Sequence, residues 1–399
     1  MHATHTLFAV VALLCALSTT TADSGNHGIH ARSRVHRRMG REMQRRDVAS
    51  PALIDSPKRI IKRKSCAPRA VNDTETPASA IISASASSTS AREAATSKAV
   101  SNTLSSSTSG KSNSTASSGS GCSLDLLFPA GQGSKSWTTC SASDSAISLS
   151  DATLKPKNLI AALSHNYVAA PDTDSGTAMQ AHYPKGSYIP SKNPRGGLSF
   201  YASGPSDVDL TTAKEATLSY RVYFPDGFEF VKGGKLPGLY GGNSASGAIS
   251  CSGGSRSDEC MSARFMWRTG GAGEMYTYLP PSFKANDAVC GVAPKSECNP
   301  TYGASVARGS FTFATGAWTT IGERVRLNDA GQENGELELF ANGESMFKVG
   351  GLVLRNSDAG RLRGIMMQTF FGGSTPDWAS PKDQDVYFAD FSVAITEEL

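Results

Sequence analysis

Apolar and polar residues alternate one by one along most of the chain after Cys122, which is the period of a half-buried β-strand. Each alternating run is short and is bounded by Gly, Pro, Asn or Asp, the residues that favour turns. The clearest runs are residues 216–224, 320–327, 335–340 and 385–393, and the only short helical pattern lies near 155–164. Many short strands over residues 122–399 predict a single all-β domain, a β-sandwich.

Two alternating runs, residues 260–268 and 274–279, flank the Gly-rich residues 269–273 and predict a β-hairpin. One side of the first run, expected to face the core, carries Met261, Ala263, Phe265 and Trp267. The other side carries Ser262, Arg264, Met266 and Arg268. With a turn centred near Gly271, Arg268 lies opposite Glu274, Met266 opposite Tyr276, and Arg264 opposite Tyr278. A polar outer face is also the ordinary solvated face of an antiparallel sheet, so the pattern alone does not identify a site.

A third segment, residues 228–242, is strand-like but crowded with glycines and one proline around Lys235. Glycine inside a strand marks a place where the backbone approaches another group closely. This segment is therefore expected to border something other than ordinary core.

The run Lys235-Leu-Pro-Gly-Leu-Tyr-Gly-Gly242, followed by Ser262-x-Arg264 and Tyr276-x-Tyr278, resembles polysaccharide lyase family 14, whose members cleave alginate or glucuronan. The resemblance extends through the C-terminal region and implies a β-jelly roll with a cleft on its concave sheet. It implies that the catalytic residues are Lys235, Ser262, Arg264, Tyr276 and Tyr278. We assign substrate binding to Arg268, Tyr240 and Glu274, and expect Glu274 to pair with Arg268 across the hairpin.

β-Elimination in a uronate polymer removes the proton on C5, beside a carboxylate, while the oxygen on C4 departs. A cation that neutralises the carboxylate stabilises the enolate-like transition state, and one well-placed donor is worth roughly 3–4 kcal/mol. Arg264 is expected to grip the carboxylate, with a hydrogen bond from Ser262. Tyr276 and Tyr278 are expected to exchange the protons, with a phenol pKa lowered by nearby cations, while Lys235 neutralises charge or acts as the base.

Two other functions remain open at this point. A non-catalytic carbohydrate-binding protein would use the same face, with Tyr240, Tyr276 and either Trp267 or Trp378 as stacking platforms. A glycoside hydrolase needs two carboxyl groups at a suitable separation. Glu336 and Glu338 share a strand face, but Arg324 and Arg326 nearby favour a charge-paired surface.

Composition divides the chain into four parts. Residues 1–22 have an apolar centre and small residues near Ala22, typical of a secretory signal peptide. Residues 23–64 carry 12 Lys or Arg against 4 Asp or Glu, with several dibasic pairs, which favours a processed pro-segment over a nucleic-acid-binding tail. Residues 65–121, rich in Ser, Ala and Thr, are expected to be a disordered linker with glycosylation sites at Asn72 and Asn113. Residues 122–399 are the proposed lyase domain.

The net charge of +4 for the whole chain comes from the basic segment, so the rest is slightly acidic. Attraction for an acidic polysaccharide must then be local, where Lys235, Arg264 and Arg268 meet. We expect a secreted, extracellular monomer that binds neither nucleic acid nor membrane and needs no cofactor or metal.

Six cysteines lie in the proposed domain, an even number in a chain expected to be secreted. The simplest pairing is sequential, Cys122 with Cys140, Cys251 with Cys260 and Cys290 with Cys298, although fifteen pairings are possible. A zinc site is the alternative, disfavoured because no Cys-x-x-Cys occurs and His165 and His182 lie far from the cysteines in sequence. Both histidines are expected to be structural. Cys66 is left unpaired or is removed.

Overall fold

The computed structural model describes residues 121–172 and 176–399. The predicted signal peptide, the basic segment, the linker up to residue 120 and both glycosylation sites, Asn72 and Asn113, lie outside the described residues. Within them, in chain order, the strands are β1 (Lys135–Thr138), β2 (Pro156–Lys157), β3 (Asn166–Ala169), β4 (Thr177–Tyr183), β5 (Leu198–Ala202), β6 (Ala213–Phe224), β7 (Gly233–Lys235), β8 (Gly238–Gly242), β9 (Cys260–Arg268), β10 (Ala272–Tyr278), β11 (Glu297–Cys298), β12 (Ala304–Thr312), β13 (Ala317–Arg326), β14 (Gly335–Ala341), β15 (Glu344–Leu352), β16 (Arg361–Phe371) and β17 (Gln384–Glu398).

Helices in the described residues are short. The α-helices are α1 (Leu124–Leu127), α2 (Asp151–Leu154) and α3 (Ala245–Ala248). The 3₁₀ segments are Leu210–Thr212, Thr269–Gly271, Lys284–Gly291 and Pro376–Trp378. The helical pattern expected near residues 155–164 is wrong, because α2 ends at Leu154 and the next residue, Lys155, adopts a left-handed conformation with φ of 52°. In the described part of the chain, no helix has the length and apolar character needed to cross a membrane.

The strands form two sheets whose strand pairs are antiparallel. The first sheet has the order β15-β14-β13-β6-β17-β4-β3, and β1 also pairs with β17. The second sheet has the order β11-β12-β10-β9-β7-β16-β5-β2, and β8 continues the line of β7 between β9 and β16. The two sheets enclose one large apolar core, so the predicted all-β sandwich of the jelly-roll class is confirmed.

Large aromatic side chains fill the core between the sheets. Tyr220 of the first sheet contacts Phe265 of the second edge-on, with ring centroids 5.6 Å apart. Trp267 is fully buried and donates from its indole nitrogen to the Phe230 carbonyl. The inward face predicted for β9 is therefore confirmed, and the position of Trp267 leaves no ring face for sugar stacking.

The hairpin of β9 and β10 forms, but its register differs from the prediction by two residues. Trp267 pairs with Gly273, Tyr276 with Arg264, and Tyr278 with Ser262. The turn is centred on Gly270, which adopts a positive φ of 68°, instead of Gly271. Because side chains alternate with a period of two, a two-residue shift keeps every residue on its predicted face.

All six domain cysteines form the sequential disulfides, Cys122–Cys140, Cys251–Cys260 and Cys290–Cys298. The zinc alternative loses its thiolate ligands, because a disulfide sulfur is not a thiolate. Cys251–Cys260 closes the loop that enters β9, and Cys290–Cys298 closes the loop that follows β10. Two disulfides therefore brace the connections around the strands that carry the candidate residues.

Candidate active site on the second sheet

The outer face of the second sheet carries the candidate residues. Lys235 comes from β7, Arg264 and Arg268 from β9, and Glu274 and Tyr276 from β10. We call these five residues the site cluster. Lys235 Nζ lies 2.9 Å from the centre of the Tyr276 ring, and the Arg268 guanidinium lies 5.9 Å from the same ring. Three separate strands thus bring the cations and this phenol together on one face.

Lys235 has an unusual environment for an amine. Its side chain is only partly exposed, and Nζ lies 2.7 Å from the sulfur of Met266, the residue that pairs with it on β9. Burial lowers the pKa of Lys235 well below its usual value, and the positive charges of Arg268 and Arg264 lower it further, against an opposing effect of Glu274. This shift favours a neutral amine, which can accept a proton.

The two tyrosines differ in exposure and in partners. Tyr276 is partly exposed, whereas Tyr278 is 5% exposed and its hydroxyl accepts a hydrogen bond from the Gly254 backbone at 3.0 Å. The two ring centres lie 6.0 Å apart. On this face, Tyr276 is the phenol that a substrate can reach without displacing the Gly254 loop.

The expected lowering of a phenol pKa is wrong for Tyr276. Burial raises the pKa of Tyr276 well above its usual value, and Tyr278 and Glu274 add to the increase. Arg268 acts in the opposite direction but does not outweigh burial. A neutral Tyr276 is a proton donor and not a base, because its hydroxyl keeps its proton at neutral pH.

Arg264 is 4% exposed and is fixed by two backbone carbonyls. Nε donates to the Leu236 carbonyl at 3.2 Å, and Nη2 donates to the Gln368 carbonyl at 2.6 Å. Burial lowers the pKa of Arg264 to about 10, which leaves the guanidinium charged at neutral pH. Arg264 is therefore a rigid positive charge beside Lys235 and Tyr276.

Ser262 and Tyr240 are both buried, and each has contacts within the protein. Ser262 has no exposed surface, and its hydroxyl donates to the Cys251 carbonyl at 2.9 Å. Tyr240 is 8% exposed and packs edge-on against Tyr201, with ring centres 4.8 Å apart. In this structure the Ser262 hydroxyl is bound to the disulfide loop and Tyr240 packs in a small cluster with Tyr201 and Met366, so a substrate contact at either residue stays a prediction.

Glu274 is fully buried and its carboxylate is occupied by protein groups. Arg268 donates to Oε1 at 2.8 Å, as expected from the sequence. Arg308 and Ser305 donate to Oε2 at 2.9 and 2.5 Å. Glu274 therefore cannot meet a substrate directly, and it instead fixes the positions of two arginines.

Sequence reasoning missed Arg308 and Ser305, which lie on β12. Ser305 pairs with Tyr276 across the sheet, but the register of β12 then shifts between Val306 and Phe311. Ala307, within this irregular part, has a φ of 55°, which is uncommon for a residue other than glycine. A strict alternation does not pass through such a segment, so the pattern of β12 could not show which face Arg308 takes.

The glycines around Lys235 mark close backbone approaches, as expected. A Cβ at Gly234 would lie 2.0 Å from the Trp267 ring, and one at Gly238 would lie 2.1 Å from the Ala263 carbonyl oxygen. Neither position tolerates a larger side chain without movement of β9. The segment that carries Lys235 is thus pressed directly onto the strand that carries Arg264.

With this geometry in place, comparison with known proteins identifies the family. Residues 171–391 match the family model described as polysaccharide lyase 14, and this match spans more than half of the chain. The chain belongs to polysaccharide lyase family 14. A comparison with curated proteins found no match.

Solved structures of this family resemble the chain. A marine PL-14 alginate lyase from Aplysia kurodai is 33% identical, with a TM-score of 0.51, over 60% of this chain and 91% of that chain. The alginate lyase vAL-1 from Chlorella virus is 24% identical, with a TM-score of 0.50, over 61% of this chain and 93% of that chain. The second likeness concerns the fold alone.

Other titratable groups of this family 14 chain have structural partners. Arg324 binds Glu336 at 2.6 Å and Glu338 at 2.9 Å, and it also binds Glu215, so the carboxylates considered for hydrolysis form a charge-paired surface on the first sheet. His165 pairs with Asp151, and His182 pairs with Asp385. Trp378 is partly buried, and the Arg268 guanidinium lies 5.8 Å from its ring.

Proposed function

We propose that this chain cleaves a uronic-acid polymer, alginate or glucuronan, by β-elimination at the site cluster. The observation that carries the proposal is the contact of Lys235 Nζ with the Tyr276 ring beside the fixed charge of Arg264. Family membership supports a polysaccharide lyase. The three disulfides favour an extracellular setting, where such polymers occur.

The proposed reaction needs one base and one acid. Neutral Lys235 accepts the C5 proton, and the electron pair of the C–H bond forms the C4–C5 double bond as the C4–O bond breaks. Tyr276 donates its phenol proton to the departing oxygen. Transfer of a proton from the Lys235 ammonium to the Tyr276 phenolate, directly or through solvent, restores both groups. No water is consumed, and the product carries an unsaturated sugar at its new non-reducing end.

Arg264 is the proposed partner of the reacting sugar's carboxylate. Its Nη1, which donates to neither of the two backbone carbonyls, is the proposed donor to the substrate. Since the guanidinium is already held by protein groups, it needs no reorganisation when charge develops in the transition state. Arg268 and Arg308, which share Glu274, are proposed to attract carboxylates of neighbouring sugars.

Alginate is the first substrate to test, because a 33% identical relative is an alginate lyase by name. Purified protein is supplied separately with poly-mannuronate, poly-guluronate and poly-glucuronate, and ultraviolet absorbance of the unsaturated end is followed. A rise with one polymer supports the proposal. Reducing ends without absorbance would indicate hydrolysis, and binding without either product would indicate a carbohydrate-binding protein.

A further inference from the structure

The strand that carries Lys235 contains a β-bulge. Lys235 pairs with Met266 and Tyr240 pairs with Ser262, so five steps along this strand face only four steps along β9. Both Lys235 and Tyr240 lie on the outer face, although residues five apart in a regular strand point to opposite faces. The extra residue between β7 and β8 is therefore what lets both side chains share one face. Bulges of this kind re-aim side chains next to active sites.

The bulge leaves backbone groups directed into the core, where each needs a partner. Leu236 and Leu239, on either side of the bulge, are both fully buried in the core. Two side chains from the opposite sheet reach across to this segment. The Tyr220 hydroxyl of β6 donates to the Pro237 carbonyl at 2.9 Å, and Glu323 Oε1 of β13 accepts from the Leu239 backbone nitrogen at 2.6 Å.

The outer face of the bulge is held by Arg264, whose Nε donates to the Leu236 carbonyl. The Leu236 nitrogen in turn donates to the Phe265 carbonyl at 2.9 Å. The bulge is therefore gripped on its outer side by β9 and on its core side by the first sheet. These contacts link the position of Lys235 to the position of Arg264.

The burial of the Glu323 carboxyl group destabilises the fold, and core packing alone does not explain why a glutamate occupies this position. Its side chain is fully buried, and Oε2 has no hydrogen-bond partner among the described residues. Burial raises the pKa of Glu323 well above its usual value, even though the Leu239 hydrogen bond and Arg264 act in the opposite direction. Its strand neighbours Leu218 and Leu339 are buried apolar residues. An apolar residue would pack here without this cost, but it would leave the Leu239 nitrogen unpaired.

We propose that Glu323 and Tyr220 are positioning residues, which hold the bulge from the core side and so fix Lys235 over Tyr276. This inference rests on the proposed function of the site cluster. The pair touches no substrate and acts only through the backbone of residues 236–239. We call the two hydrogen bonds of Tyr220 and Glu323 the clamp. Without the clamp, the backbone of the bulge has no partner on its core side, and Lys235 is expected to move away from the Tyr276 ring.

The test compares Glu323→Leu and Tyr220→Phe with Glu323→Gln. Glutamine retains an acceptor for the Leu239 nitrogen, whereas leucine and phenylalanine each remove one clamp contact. Val386→Ala, a buried substitution on β17 opposite Ala181 of β4, serves as the control for lost stability. Each protein is assayed on the polymer that the wild type cleaves, and its melting temperature is used to correct for the folded fraction.

The clamp predicts a loss of kcat of roughly 10-fold to 100-fold for Glu323→Leu and Tyr220→Phe, with KM nearly unchanged, because small misplacements of catalytic groups carry penalties of this size. The acid limb of the pH profile should move to higher pH, since a displaced Lys235 regains a more ordinary pKa. Glu323→Gln should retain the wild-type profile. A loss in Glu323→Gln equal to that in Glu323→Leu, or losses no larger than in Val386→Ala, would overturn the proposal.

A second readout does not depend on turnover. The acetylation of Lys235 is followed by mass spectrometry across a pH series, because only the neutral amine reacts. The midpoint should lie below that of exposed lysines in the wild type and in Glu323→Gln, and should rise in Glu323→Leu and Tyr220→Phe. If the wild type cleaves no polyuronate, the proposed function is wrong. The pH midpoint of Lys235 acetylation then tests by itself whether Glu323 and Tyr220 position Lys235. Equal midpoints in all four proteins would rule that role out.

Discussion

Tyr276 and Tyr278 point in the same direction from one strand, but their surroundings give them different tasks. The Tyr278 hydroxyl accepts from the Gly254 backbone and the residue is nearly buried, whereas Tyr276 is partly exposed beneath Lys235. A proton donor must reach the departing oxygen within hydrogen-bonding distance. The geometry therefore favours Tyr276 for the chemistry and Tyr278 for support of the loop.

Tyr276→Phe is expected to lower kcat by roughly 10²-fold to 10⁴-fold with little change in KM, the usual size of a general acid's contribution. Tyr278→Phe is its matched control, because it removes the same atom from the same strand. It should cost about 1 kcal/mol of stability, a typical value for one hydrogen bond, with a much smaller loss of kcat. Steady-state kinetics and urea unfolding measure both effects. Full activity of a Tyr276→Phe, Tyr278→Phe double variant would refute any role for these phenols.

Lys235→Met is expected to be inactive but more stable at neutral pH. The folded protein lowers the pKa of Lys235, so the unfolded chain binds a proton more readily. Stability of the wild type should then rise with pH between the lowered pKa and the usual value near 10.5. The advantage of the methionine variant should be largest at low pH and should shrink as pH rises through this window. Thermal unfolding across a pH series tests this, and an advantage that grows with pH would contradict it.

At the scale of elements, the predicted faces of β9 and β10 are right although the predicted register is not. Side chains alternate between the two faces of a strand, so a shift by an even number of residues leaves each one on the same face. The two-residue difference between the predicted and observed register left Arg264 and Tyr276 on the same side. The bulge at residues 236–239 acts in the opposite way, since one extra residue changes which side chains share a face. Regular alternation was readable from the sequence, whereas the bulge required the pairing of β7 and β8 with β9.

The Cys251–Cys260 disulfide is predicted to stabilise both the fold and the site. It closes a short loop, for which the chain-entropy argument gives about 3 kcal/mol. The Ser262 hydroxyl donates to the Cys251 carbonyl, so the disulfide also braces the start of β9. A Cys251→Ser, Cys260→Ser variant should unfold at lower urea and lose kcat.

Cys290→Ser, Cys298→Ser provides the comparison for this loss. That disulfide closes a loop of similar length but does not contact Ser262, so this variant should lose comparable stability with a smaller loss of kcat. Equal kinetic losses in both variants would show that the disulfides act only through global stability.

At the scale of the whole molecule, the lyase domain is expected to begin at Cys122, well before the start of the family match at residue 171. Cys122 is bonded to Cys140, and β1 pairs with the C-terminal part of β17 in the first sheet. A chain of residues 122–399 should therefore fold and retain the kcat of the full chain. A chain of residues 171–399, which lacks β1, β2 and β3, should fail to fold. Circular dichroism and the absorbance assay separate these outcomes, and an inactive but folded 122–399 chain would assign a function to the preceding residues.

The sequence by itself determined the strand-rich class, the faces of β9 and β10 and the residues of the lyase motif. These follow from local alternation and from short motifs, which depend on residues close together in the chain. Only the tertiary structure decided the surroundings of the site residues. These are the burial of Ser262 and Tyr240, the raised pKa of Tyr276, and the contact of Arg308 with Glu274. The burial and the pKa of a side chain depend on residues from strands that are distant in the sequence. An irregular strand such as β12 also interrupts the alternation from which the face of Arg308 could have been predicted.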